Sequence, residues 1–88
     1  MTSELFKNEK NLIESVLEPE EIISILEARG KNDTDIAVTV TPDEYIQSYV
    51  RPMLKIGYEL SVEKSSAICL VFIKKAETEI TLSLEQER

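Results

Sequence analysis

The 88-residue sequence has no histidine and only one cysteine, and these shortages restrict its chemistry. Without histidine, the commonest general base and the usual activator of a serine or cysteine nucleophile are absent. No serine or cysteine lies beside another recognisable base, and no glycine-rich phosphate loop is present. These shortages predict a protein that is not an enzyme and has no cofactor.

Paired carboxylates are the remaining route to acid–base catalysis. Asp33 with Asp35, and Asp43 with Glu44, are nominal candidates, but the first pair suits a solvated turn and the second suits a helix start. The segment NDTD also resembles a calcium loop in composition, yet the glycine and the final glutamate of such a loop are missing. We therefore predict no catalytic site and no metal site.

The single cysteine, Cys69, excludes an internal disulfide. It lies within AICLVFI, which predicts a buried, inert thiol rather than a nucleophile or a metal ligand. This seven-residue stretch is the longest apolar run and is too short to span a membrane. The N-terminus lacks the basic and apolar regions of a signal peptide. A cytoplasmic protein that does not contact a membrane is expected.

Length and composition predict one small globular domain covering residues 1–88, with 42% apolar and 31% charged residues. The segment SELFKNEKNLIESVLE has the apolar spacing of a helix over about 4–17. Glu9 falls on its apolar face, so either Glu9 meets a lysine or an arginine, or the helix begins later, capped by Asn11.

Two further helices are predicted. Pro19 suits the first turn of a helix through IISILEAR that ends at Gly30, although its isoleucines also permit a strand. In TPDEYIQSYVRPML, Thr41 and Glu44 form a capping pattern. The apolar stripe from Tyr45 to Leu54 continues across Pro52, which predicts a kinked helix.

Four strands complete the predicted fold. DIAVTVT and EITLSLE alternate apolar with polar residues, as does KIGYELSVEK, whereas AICLVFIKK is apolar on both faces, as in a central strand. The predicted fold class is therefore α+β, in the order α-α-β-α-β-β-β. We expect a four-stranded mixed sheet that ends in an antiparallel meander, with the helices packed on one face.

The net charge of −7 is unevenly placed along the chain. Residues 1–50 hold eleven acidic and four basic side chains, a balance of −7, whereas residues 51–88 hold six of each. Direct nucleic-acid binding would require clustered basic residues and is not expected. A negative helical side could instead bind a basic partner protein, for example in a groove that otherwise accepts phosphate, as an inhibitor that mimics nucleic acid. The candidate partner-binding residues are Glu14, Glu20, Glu21, Glu27, Asp33 and Asp35.

The competing interpretation of the acidity is that it only keeps the domain soluble. In that case the protein could be a structural or regulatory subunit that self-associates as a homodimer. Tyr45, Tyr49 and Tyr58 could form its interface, although the spacing of the first two also suits the rim of a core. The segment ITLSL could add a second copy as an edge strand, because it lacks charge and proline.

Overall fold

The computed structural model describes residues 4–29, 34–42, 45–75 and 78–87, except for the side chains of residues 28 and 29. It is an α+β fold with two α-helices and a mixed five-stranded sheet. In chain order the elements are helix α1 (Glu4–Val16), a 3-10 turn (Pro19–Glu21), strands β1 (Ile22–Arg29) and β2 (Thr34–Val40), a second 3-10 turn (Ile46–Tyr49), helix α2 (Val50–Lys55), and strands β3 (Glu59–Leu60), β4 (Cys69–Lys75) and β5 (Glu79–Gln86).

The prediction for α1 is confirmed, with its start at Glu4 and its end one residue earlier than expected. Phe6 and Ile13 are buried on its inner face, and so is Glu9. Glu9 forms an ion pair with Lys74, so the first of the two predicted solutions is correct. The later start at Asn11 is not adopted, because the partner lysine removes the need to keep the carboxylate out of the helix.

The predicted second helix is wrong, since residues 22–29 form strand β1. The sequence pattern misleads because the register of β1 against β2 shifts between Ile22 and Ser24. This bulge adds one residue, so that Ile22 and Ile25, three positions apart, pair with the buried residues Val40 and Val38. A helix would also place residues three apart on one side, and the β-branched isoleucines then favour the strand.

The third predicted helix is shorter than expected and begins as a 3-10 turn. Pro52 lies in the first turn of α2, where a missing N–H costs little, so it does not kink a continuous helix. Met53 is buried, but Tyr45 and Leu54 are exposed, so the stripe does not extend over its full predicted length. The capping pattern depends on Glu44, which lies outside the described residues.

The sheet has the order β1-β2-β5-β4-β3. β2 pairs with β5 in parallel and the other neighbours pair antiparallel, so the mixed sheet and its C-terminal meander are confirmed. The predicted count of four strands is wrong because β1 has the sequence period of a helix. β5 lies at the centre of the sheet, and the expectation that ITLSL is an edge strand is therefore also wrong.

One apolar core lies between the helices and one face of the sheet. The two helices contribute Phe6, Ile13 and Met53. The sheet contributes alternate residues of its strands, namely Ile36, Val38, Val40, Leu70, Phe72, Ile80, Leu82 and Leu84. This alternation is the one expected for DIAVTVT and EITLSLE. Among the described residues, no helix is long and apolar enough to cross a membrane.

Candidate functional site

Three of the predicted acidic residues lie together at one end of the domain. Glu14 is on the last turn of α1, and Glu20 and Glu21 are in the 3-10 turn that follows. Glu14 and Pro19 line the same cleft, which places the end of α1 beside this turn. The Glu21 carboxylate accepts a 3.1 Å hydrogen bond from the backbone N–H of Glu18, so part of its charge stabilises the turn itself.

The fold adds a carboxylate that sequence reasoning missed. The backbone N–H of Thr41 donates to the carbonyl of Glu21 at 2.9 Å, and the backbone N–H of Glu87 donates to the carbonyl of Val40 at 2.8 Å. The end of β5 therefore lies at the same end of the sheet as the 3-10 turn, with β2 between them. We call Glu14, Glu18, Glu20, Glu21 and Glu87 the acidic end. Only the parallel pairing of β2 with β5 could have revealed the position of Glu87, and no local pattern encodes that pairing.

Two of the remaining predicted acidic residues, Glu27 and Asp35, do not share one surface with the acidic end. Glu27 pairs with Ile36, a buried core residue, and therefore lies on the helix-covered face of the sheet. Asp35 is adjacent to Ile36 and so points to the opposite face. Both side chains are half-buried. Asp33 lies outside the described residues. The expected single helical surface is not formed, because its second helix is a strand.

The three tyrosines do not form a common exposed face. Tyr49 and Tyr58 are buried, whereas Tyr45 is 85% exposed. The alternative placed Tyr45 and Tyr49 at the rim of a core, but Tyr49 lies within the core and Tyr45 lies outside it. An interface built from all three side chains is therefore excluded.

A hydrogen-bonded group of three polar side chains joins α1 to the sheet. The Tyr58 hydroxyl donates to Glu9 Oε1 at 2.9 Å, and Lys74 Nζ donates to the same oxygen at 3.0 Å. Lys74 Nζ also lies 5.3 Å from the centre of the Tyr58 ring, within the range of a cation–π contact. Each member stabilises the others, so this triad holds α1 against β4.

The triad is built for stability rather than for chemistry on a substrate. Burial raises the pKa of the Tyr58 hydroxyl well above its ordinary value, and the hydrogen bond to the Glu9 carboxylate raises this pKa further. Tyr58 therefore stays protonated near neutral pH, and both Tyr58 and Glu9 are almost completely inaccessible to solvent. A catalytic proton donor must be able to reach a substrate, and these groups cannot.

Cys69 is only half-buried, contrary to the prediction of a buried thiol. It begins β4 and lies directly opposite Glu85 of β5. Partial burial raises the pKa of the Cys69 thiol, and the negative charge of Glu85 raises it further. Because the raised pKa leaves little thiolate at neutral pH, the thiol is a poor nucleophile. The causes are partial burial and the charge of Glu85, whereas the apolar run predicts complete burial.

A cleft of about 290 Å³ is lined by residues of α1, the 3-10 turn and the first half of β1. Its floor is formed by Ile22, Ile23, Ser24 and Ile25, and its helical wall by Lys10 and Glu14. Among the described residues, no group of three or more histidine, cysteine, aspartate or glutamate side chains could hold a metal ion.

Comparison with protein-family models gave no match, and comparison with curated proteins gave none either. Among solved structures, the chain is similar to the conserved protein GrpB from Enterococcus faecalis, with a TM-score of 0.76 and 18% sequence identity. The similarity covers 94% of this chain and 55% of GrpB, so the chain spans about half of GrpB. At this identity the likeness shows the fold alone.

Proposed function

We propose that the protein is a non-enzymatic protein-binding module whose acidic end binds a basic surface of a partner protein. The observation that supports this proposal is that carboxylates from α1, the 3-10 turn and the end of β5 lie at the same end of the sheet. Glu14, Glu18, Glu20 and Glu87 are exposed, and a field of one sign speeds the approach of an oppositely charged protein.

The partner class follows from the sign and density of this charge. Proteins with strongly basic grooves are chiefly those that bind nucleic acid, because their lysines and arginines contact phosphates. A compact acidic domain that occupies such a groove excludes the nucleic acid, so we propose inhibition of a nucleic-acid-handling protein as the mode of action.

Charge reversal tests the proposal. The protein is immobilised, and basic proteins retained from a lysate of its host are identified by mass spectrometry. Association rates of a captured protein are then measured at two ionic strengths for wild type, Glu20→Lys, Glu87→Lys and the matched control Glu63→Lys. Glu63 is exposed in the turn after β3, so its reversal changes the net charge equally.

Glu20→Lys and Glu87→Lys should each slow association and weaken its dependence on salt, whereas Glu63→Lys should change the rate much less. Equal effects from the three reversals would show a general charge effect and overturn the proposal. Failure to retain any basic protein would overturn it as well.

A further inference from the structure

Strand β4 contains an apolar segment whose outer edge is short of strand partners. The run AICLVFI, at 67–73, provides residues 69–73 of this strand and has neither charge nor proline, a composition typical of segments that pair between molecules. One edge of β4 pairs with β5 along its whole length, whereas the other pairs with β3 at two residues, Phe72 and Ile73. Lys74 and Lys75 follow at one end, where their charges oppose the addition of a strand.

The hydrogen bonds around Val71 show how the chain closes the other end of this edge. In an antiparallel ladder, alternate pairs of opposed residues exchange two N–H···O bonds. Ser61, directly after β3, donates its backbone N–H to the carbonyl of Val71 at 2.8 Å, which is one bond of such a pair. In place of the second bond, the N–H of Val71 donates to Ser65 Oγ at 2.9 Å, and Ser65 Oγ donates to the carbonyl of Ser61 at 2.6 Å. A side-chain hydroxyl is thus inserted between the two main chains.

The inserted hydroxyl accounts for the early end of β3. The alternation of KIGYELSVEK predicts a longer strand, but regular pairing ends at Leu60. Between Ser61 and Val71 one bond is direct and the other runs through the hydroxyl, so the pair opens on one side and the chain turns away from β4 at 62–64. β3 is therefore short, although its sequence has the period of a strand.

We propose that residues 61–66, which we call the edge strap, keep β4 from pairing with a strand of another molecule, and that the Ser65 hydroxyl is the group on which this closure depends. The edge strap occupies the N–H and the carbonyl of Val71. It also occupies the carbonyl of Cys69, which accepts a 2.8 Å bond from the backbone N–H of Ser66. The inference does not depend on the proposed function, because it concerns contacts between copies of this chain.

Amide hydrogen exchange tests the closure. Wild type, Ser65→Thr, Ser65→Val and Ser65→Ala are compared by NMR, with circular dichroism to establish folding. Threonine keeps the hydroxyl and valine replaces it with a methyl group of similar size, so this pair separates the hydrogen bonds from side-chain volume. Ser65→Ala removes the hydroxyl without adding a methyl group. The control is Ser48→Ala, because Ser48 Oγ donates to the carbonyl of Tyr45 at 2.6 Å in the 3-10 turn before α2.

Loss of the hydroxyl should act on one amide of β4. In Ser65→Val and Ser65→Ala, the N–H of Val71 should exchange about tenfold faster than in wild type, or more, because it loses its acceptor. Ile73, which pairs with Glu59 in the regular ladder, should change much less. Ser65→Thr and Ser48→Ala should resemble wild type at Val71. An unchanged rate at Val71, or equal acceleration at Val71 and Ile73, would overturn the proposal.

Aggregation measures strand addition itself. Thioflavin fluorescence and sedimentation are followed for Ser65→Val, Ser65→Ala and Ile36→Val, each at the temperature at which the same fraction of the protein is unfolded. Ile36→Val is the matched control, because it removes a methyl group from the buried core of β2 and leaves the edge strap intact. The Ser65 variants should form thioflavin-positive aggregates several times faster than Ile36→Val. Equal rates would show that aggregation follows general unfolding, and the edge strap would then have no protective role.

Discussion

Replacement of Lys74 by methionine should destabilise the protein more than its position near the surface suggests. The Lys74 side chain is 18% exposed, and its ammonium group lies 3.0 Å from Oε1 of the buried Glu9 carboxylate. Methionine retains most of the apolar stem of lysine, so Lys74→Met removes the positive charge, and with it the cation–π contact to the Tyr58 ring, with little loss of packing. Glu9 would keep the hydrogen bond from Tyr58 but lose the charged donor on the same oxygen.

The expected loss in the free energy of unfolding is about 3 kcal/mol. At 3.0 Å and an effective dielectric constant of about 20, the attraction between the two charges is roughly 5 kcal/mol. Removing one partner of a buried pair typically costs about 3–5 kcal/mol, and the lower end applies because Lys74 is partly solvated. A domain of 88 residues has a total stability of roughly 4–13 kcal/mol, so the variant should remain folded at low temperature.

Urea denaturation of wild type, Lys74→Met and Lys75→Met measures this loss. Lys75 is the adjacent residue of β4 but is exposed, so Lys75→Met should change stability by less than about 0.5 kcal/mol. The triple variant Glu9→Met, Tyr58→Phe, Lys74→Met should be more stable than Lys74→Met alone, because it leaves no unpaired buried polar group of the triad. If Lys74→Met and Lys75→Met had the same small effect, the ion pair would not stabilise the fold and the reasoning would be refuted.

Three further predictions concern single side chains. Because the pKa of Tyr58 is raised in the folded protein, the unfolded chain loses this proton first as pH rises past about 10, and the free energy of unfolding should fall by up to about 1.4 kcal/mol per pH unit above that value. Tyr58→Phe should weaken this fall and Tyr45→Phe should not. Identical pH profiles of stability for Tyr58→Phe and wild type would show that the Tyr58 hydroxyl does not cause the fall. Gly57 has φ 97°, and an added Cβ would lie 3.2 Å from Cε of Lys74, so thermal denaturation of Gly57→Ala should show a loss of roughly 1–2 kcal/mol or more. Glu85→Gln should speed labelling of Cys69 by a thiol reagent because it lowers the thiol pKa, whereas Glu63→Gln should not; an unchanged rate in Glu85→Gln would show that access alone limits the reaction.

Glu9 shows how much of the triad can be predicted from the sequence. Its place on an apolar helical face requires either a cationic partner or a later helix start, and the first solution is the one observed. The identity of the partner is not accessible from the sequence, because Lys74 is 65 residues away in the chain. Tyr58 belongs to the segment KIGYELSVEK, which is predicted to be a strand but forms a strand only at Glu59–Leu60, and its hydroxyl becomes part of the triad only through the same distant packing. Periodicity therefore identifies which side chain is buried, but not what it contacts.

The error at β1 has a similar origin. A bulge between Ile22 and Ser24 gives a strand the three-residue spacing of a helix, and no local feature distinguishes the two periods over so few residues. The assignment of ITLSL to an edge is wrong for another reason. Its alternation is that of a strand, as observed, but a strand's period does not specify its neighbours, and β5 gains a second one by pairing in parallel with the distant β2.

The distribution of charge illustrates why position along the chain is a weak guide to a surface. A division at residue 50 assigns the whole excess of negative charge to the first half. In the folded chain, Glu87 from the balanced half lies at the same end of the sheet as the turn that holds Glu20 and Glu21, while Glu27 and Asp35 from the acidic half lie on opposite faces of the sheet. An electrostatic field depends on the distances between charges in space. The acidic end therefore depends on the parallel pairing of β2 with β5 as well as on the carboxylates themselves. Main-chain hydrogen bonds attach both the turn and the strand end to the end of β2. A variant that loosens β2 should therefore weaken binding at the acidic end through a loss of stability, whereas Glu20→Lys should weaken binding with little loss of stability.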